Sequence, residues 1–82
     1  MQVRWVTGED LYTEEHRIDQ LQIDVIFVGH VRQDIGQDGN RFSAFFEADY
    51  LGKAISWEEG RRLVEAKLPE LLQLALLGRE GT

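Results

Sequence analysis

Apolar and polar positions begin to alternate at residue 21, and a helical rhythm takes over after residue 56. The run Leu21-Gln22-Ile23-Asp24-Val25-Ile26-Phe27-Val28-Gly29-His30-Val31-Arg32 is rich in β-branched and aromatic residues and opens as a strict alternation. That pattern predicts a strand with one buried face. Turn-forming residues crowd the stretch Asp34-Ile35-Gly36-Gln37-Asp38-Gly39-Asn40. Within it, Asp38-Gly39 suits the positive φ angles of a two-residue type I′ turn. Residues 41–50, with Phe42, Phe45, Phe46 and Tyr50, then read as the return strand of a hairpin.

A turn at Asp38-Gly39 sets a register. Ile35 faces Phe42, Val31 faces Phe46, Gly29 faces Ala48 and Phe27 faces Tyr50. With Val25 and Ile23 these make one face that is apolar except for Gln33, the expected core face. The other face carries His30, Arg32 and Asp34 opposite Arg41, Ser43, Glu47 and Asp49. It also carries Ile26, Val28, Phe45 and Leu51, an apolar group that calls for a cover.

The flanks are less uniform. Residues 2–6 predict a short strand beside the hairpin, and Thr7-Gly8-Glu9-Asp10 a turn. Residues 11–19 admit a helix, a loop or a charged edge strand. Ser56-Trp57-Glu58-Glu59 has the spacing of a capping box and opens a helix over 57–77. Trp57, Val64, Leu68, Leu71 and Ala75 recur near helical spacing, and Pro69 predicts a kink or a break. Gly78 is a natural stop, with residues 79–82 as a frayed tail. The expected architecture is one α+β domain over residues 1–82. Its antiparallel sheet of two to three strands rests on the 21–51 hairpin, and a C-terminal helix packs across it. The expected core is Ile23, Val25, Phe27, Val31, Phe42, Phe46, Tyr50, Trp57, Val64 and Leu71.

Length and charge narrow the function classes. Eighty-two residues leave no room for two domains with a cleft between them. Cysteine is absent, which removes disulfides and thiolate metal sites. No apolar run approaches the roughly 18 residues of a membrane span, and the N-terminal residues lack a signal-peptide pattern. No membrane contact and a cytoplasmic location are therefore expected. The net charge of −6 disfavours a phosphate-binding surface over the whole chain.

Candidate chemistry is sparse. His30 and Glu47 face each other in the expected register, but no nucleophile or metal ligand converges on them. They read as a surface pair rather than a general base, and no catalytic residue is expected. Glu14, Glu15 and His16 are consecutive, so their side chains diverge on either helix or strand, and no metal site is expected. The loop from Asp34 lacks the calcium-loop ligands, with Gly36 and Phe45 at its third and twelfth positions. No phosphate loop or nucleophile elbow is present, and no cofactor is expected.

Two surfaces stand out. Glu9, Asp10, Glu14, Glu15 and Asp19 concentrate acid within eleven residues, a patch fit to steer onto a basic partner. Residues 68–77 hold seven apolar positions in ten, more than one helix stripe against a small sheet can bury. Leu72 and Leu76 there, with Ile26, Val28, Phe45 and Leu51, are the candidate self-association residues of a homodimer. A basic cluster, Arg61, Arg62 and Lys67 with Arg41, offers a nucleic-acid interface, but Glu58, Glu59, Glu65 and Glu70 lie among it.

Across residues 38–67 the order of elements resembles the HicB-type antitoxin domain. Asp38-Gly39, the aromatic strand Phe42 to Phe46 and the acidic-started helix at Ser56-Trp57-Glu58-Glu59 carry the resemblance. The proline and Gly-Cys signature that follows the second strand in that family is absent here. Double-stranded-RNA-binding and phage-integrase arm folds share the element order, but their basic signatures are missing. These are analogies of architecture. The favoured expectation is a small acidic, non-enzymatic module that regulates or inhibits a basic protein, such as a nucleic-acid-binding one. Phage or mobile-element inhibitors and antitoxins have this character. The alternative is a nucleic-acid-binding regulator using the locally basic helix face.

Overall fold

A computed structural model of the chain describes residues 1–13, 15–34 and 41–80, with side chains through residue 76. Five strands run β1 (Val3–Gly8), β2 (Ile18–Ile23), β3 (Ile26–Gln33), β4 (Phe42–Phe46) and β5 (Asp49–Ala54). They form one antiparallel sheet in chain order, so every strand pairs with its sequence neighbour. Helices α1 (Trp57–Glu65) and α2 (Glu70–Glu80) follow. α1 lies over β3, β4 and β5, while α2 lies against β1. The α+β class is as the sequence predicts, but the sheet has five strands rather than two or three.

The two extra strands arise from turns that the alternation conceals. Residues 21–32 are not one strand: β2 ends at Ile23 and the chain reverses through Asp24-Val25 into β3. Residues 41–50 are likewise broken by the turn Glu47-Ala48. Asp24 and Glu47 hold φ angles of 52° and 54°. Such left-handed backbone at the first turn position matches the twist of the strands it joins. The predicted Asp38-Gly39 turn lies outside the described residues.

The pairing of β3 with β4 departs from the predicted register by two residues. Val31 faces Ala44 rather than Phe46, and Gly29 faces Phe46 rather than Ala48. A shift of two preserves the faces, so Val31, Phe42 and Ala44 line the helix side and are buried. Two bulges then invert parity. Leu21 faces Gly29 while Gln22 faces Phe27, leaving Val28 unpaired. Ala44 faces Gly52 while Phe45 faces Tyr50, leaving Leu51 unpaired. One extra residue sends the following side chains to the opposite face. Phe27 and Tyr50, expected in the core, are therefore exposed on the open face, and Val25 is exposed in its turn. Val28 and Leu51, expected on the outer face, pack against the core.

Ser56 caps α1, its side chain accepting from the Glu59 amide at 3.1 Å. The break falls at residues 66–69, where Pro69 donates no amide and its carbonyl accepts from Leu72 and Gln73. This break resets the apolar stripe. Leu68 and Leu76 are buried and Leu72 and Ala75 pack beside them, while Leu71, expected in the core, is exposed with Leu74. The core thus lies between the sheet and both helices, centred on Val3, Leu21, Val31, Ala44 and Val64.

Candidate functional site

Two members of the expected acidic patch, Asp10 and Asp19, are buried in ion pairs. Residues 9–13 and 15–17 lie between β1 and β2. Asp10 is buried there, its Oδ1 accepting from the Tyr12 amide and its Oδ2 lying 2.9 Å from the Arg32 guanidinium. Asp19 is buried beneath α1 on the helix side of β2. Arg17 grips it through two nitrogens at 2.9 and 3.0 Å, and Arg61 of α1 approaches at 3.1 Å. The Arg17 guanidinium, its pKa raised mainly by its bond to Asp19, also covers the Trp57 ring at 4.5 Å. Glu15 is exposed but accepts from the Trp57 indole at 2.8 Å. Glu9 is exposed, and Glu14 lies outside the described residues.

The basic helix cluster is also engaged. Arg61 is held at Asp19, and Arg62 binds Glu58 one turn earlier at 2.5 Å. Arg41 and Lys67 are exposed on different elements, ahead of β4 and after α1.

His30 does not meet Glu47. It faces Phe45 on the open side of the sheet, and the two rings stack at 4.7 Å. Tyr50 continues this aromatic row at 5.5 Å from Phe45. Burial first, and then the neighbouring Arg32 charge, hold the His30 pKa below its ordinary value against the opposing pull of Asp10.

Sequence reasoning missed one polar cluster because it did not foresee β5. Lys53 of β5 faces Ser43 of β4, and both bond to Asp34 at the end of β3. Lys53 Nζ also lies 3.0 Å from Ser43 Oγ. Burial raises the Asp34 pKa, but hydrogen bonds from Lys53 and Ser43, with the Lys53 and Arg41 charges, bring it below the ordinary carboxylate value. Asp34 is thereby favoured as the carboxylate. The trio ties β4 and β5 to the end of β3.

The other end of the sheet differs. The turns Asp24-Val25 and Glu47-Ala48 lie side by side there, because Glu47 donates its amide to Val28 at 2.7 Å. Val25, Ile26, Phe27 and Tyr50 are 85%, 64%, 53% and 54% exposed at this end, Phe27 and Tyr50 on the open face and Ile26, paired with Ile23, on the helix side. Asp24, Glu47 and Asp49 border it, all exposed, and none forms an ion pair with a described residue. Of the candidate self-association residues, only Ile26 belongs to this end in the open. Phe45 is half-buried in the aromatic row, Val28, Leu51 and Leu72 pack against the core, and Leu76 is buried. A search for the two unglycined reversals would have found this end. Asp24 and Glu47 each interrupt an apolar run with a carboxylate.

Among the described residues no helix is long and apolar enough to cross a membrane. No protein-family model, curated protein or solved structure matches the chain.

Proposed function

We propose that the protein is a non-enzymatic binding module that docks a basic protein and regulates or inhibits it, in the manner of an antitoxin or a mobile-element inhibitor. The observation that carries this reading is the turn end of the sheet. Exposed Phe27 and Tyr50 on the open face, with Val25 in the adjoining turn, supply the apolar centre of an interface, and Asp24, Glu47 and Asp49 supply an acidic rim. Aromatic residues at the centre carry affinity, while charges at the rim steer encounter and exclude acidic competitors. A basic surface complements the acidic rim and the net charge of −6. Self-association and a cytoplasmic location belong to the same proposal.

The test begins with cross-linking in the native host, then uses the purified basic partner. Titrating it into isotope-labelled protein is expected to shift the amides of residues 24–27 and 47–50. Reversing Glu47 and Asp49 to Lys weakens binding at least about ten-fold, as does raising salt, while reversing Glu9 and Glu15 has a smaller effect. Partner binding indifferent to all four reversals overturns the reading. So does tight binding of duplex DNA or RNA at physiological salt that reversal of Arg61 and Arg62 abolishes.

A further inference from the structure

We infer that two copies of the chain join edge to edge through β1, forming one continuous ten-stranded sheet with the two α2 helices side by side. This rests on the self-association proposed above and gives it a specific interface, away from the acid-rimmed turn end.

The sheet has two edges, and they differ. β5 is blunted by the Leu51 bulge, by Gly52 at a φ of 134° and by exposed Lys53. Bulges and lysines are devices that keep a strand edge from pairing. β1 carries neither. Its register with β2 is unbroken from Val3 to Gly8.

The hydrogen bonding of β1 fixes which groups face outward. Asp24 donates its amide to the Gln2 carbonyl at 2.7 Å. In an antiparallel ladder the bonded residues alternate. Arg4, Val6 and Gly8 therefore bond toward β2, and Val3, Trp5 and Thr7 turn their N–H and C=O groups away from it. Among the described residues nothing bonds those outward groups.

An open edge needs a second edge, and the charges and helices around this one favour its own copy. A twofold axis normal to the sheet at Trp5 sets Trp5 against Trp5 of the second copy and Val3 against Thr7. Each such pair exchanges two backbone bonds. Arg4 then lies opposite Val6 of the second copy, so no like charges meet. The axis keeps both helical layers on one side of the sheet. α2 packs against β1, and its Leu71 and Leu74 are exposed. The same operation brings these leucines toward their equivalents. One isologous contact thus satisfies both the open ladder and the uncovered leucines.

The experiment is sedimentation equilibrium of the full chain from about 1 to 100 µM, with two variants. The chain is expected to sediment at twice 9.5 kDa at the upper concentrations. Thr7→Pro removes an outward amide and leaves the β1–β2 ladder intact, so it should weaken dimerisation at least about ten-fold with unchanged circular dichroism. Leu74→Glu acts on the exposed helix stripe and should weaken it comparably without touching the strand. Hydrogen exchange on the unmodified chain supplies a check free of folding defects. The amides of Val3, Trp5 and Thr7 should be protected at high concentration and exchange freely on dilution. A 9.5 kDa species throughout overturns both self-association and this interface. A dimer that ignores both variants, or leaves those three amides unprotected, overturns the β1 interface alone and leaves self-association standing. Neither outcome bears on binding of the basic partner at the turn end.

Discussion

Gly60 of α1 sits directly on Val31 of β3, so close that a Cβ at residue 60 would lie 2.5 Å from Val31 Cγ1. A reciprocal contact lies beside it, where a Cβ at Gly29 would meet Val64 at 2.5 Å and the Phe45 carbonyl at 2.9 Å. Each glycine receives a branched side chain from the facing element, and this interlock sets the height of α1 above the sheet. The two glycines are chosen for closeness, not for backbone freedom.

Gly60→Ala therefore tests two opposed effects. Helix propensity favours alanine by roughly 0.8–1 kcal/mol. Overpacking against a fully buried β-branched side chain costs about 1–3 kcal/mol. Packing wins, and a net loss of about 1 kcal/mol is expected in urea unfolding. A stabilised variant would mean that α1 rides higher than 2.5 Å contact allows.

Asp19→Asn addresses the charged hinge between loop, sheet and helix. The carboxylate is buried, and its removal leaves Arg17 and Arg61 without their shared counter-ion. Breaking a buried pair costs about 3–5 kcal/mol, but both arginines are about a third exposed and water screens them. A loss of about 2 kcal/mol is expected. Loss of the shared anchor should also free the Arg17 guanidinium from the Trp57 ring, visible as a change in indole fluorescence. A loss below about 0.5 kcal/mol would show that solvent already carries these charges.

How much of this was legible in the sequence depended on whether a residue's face is set locally. The Ser56 N-cap and the break before Pro69 are local chemistry and are found where the sequence puts them. Val31, Phe42 and Val64 are buried as alternation and helical spacing predict. Phe27 and Tyr50 have the same character but the opposite environment, because bulges at Val28 and Leu51 intervene. Nothing in Phe-Val-Gly or Tyr-Leu-Gly announces an unpaired residue. The acidic cluster was legible as composition and illegible as surface. Asp10 and Asp19 find their arginines only once β3 and α1 are in place. The turn end, in contrast, needed only the recognition that Asp and Glu can hold left-handed backbone without a following glycine.

Stability should fall on acidification in two separate windows. The His30 pKa is lowered in the fold, so the unfolded chain takes the proton first. Its contribution is complete above the ordinary histidine pKa of 6.5 and is lost as pH falls through the lower folded value. Asp34 is also lowered, from 3.8, so its contribution is present above that value and disappears as pH drops through the folded one. Urea midpoints are expected to decline as pH falls below the ordinary histidine value of 6.5, then again below the ordinary carboxylate value of 3.8. His30→Phe keeps a ring against Phe45 and should flatten the first decline only. Lys53→Met should reduce the second only. A first decline that survives in His30→Phe would assign it to another group.

Glu47 holds the turn between β4 and β5 with a φ of 54°, a conformation that a side chain with a Cβ resists by roughly 1–2 kcal/mol. Its amide still reaches Val28 at 2.7 Å, so the backbone there is fixed by the sheet rather than by the side chain. Glycine would relieve the strain, offset in part by the greater freedom of the unfolded chain. Glu47→Gly is thus expected to raise stability by about 0.5 kcal/mol. It also removes a carboxylate from the rim beside Phe27 and Tyr50, so affinity for the basic partner should fall several-fold as stability rises. Strain retained at an exposed acidic residue makes sense where the acid is used, and separating the two effects tests that use. Measuring both unfolding midpoint and Kd on one variant makes the comparison. If stability rises with no loss of affinity, Glu47 serves only the turn, and the proposed rim shrinks to Asp24 and Asp49.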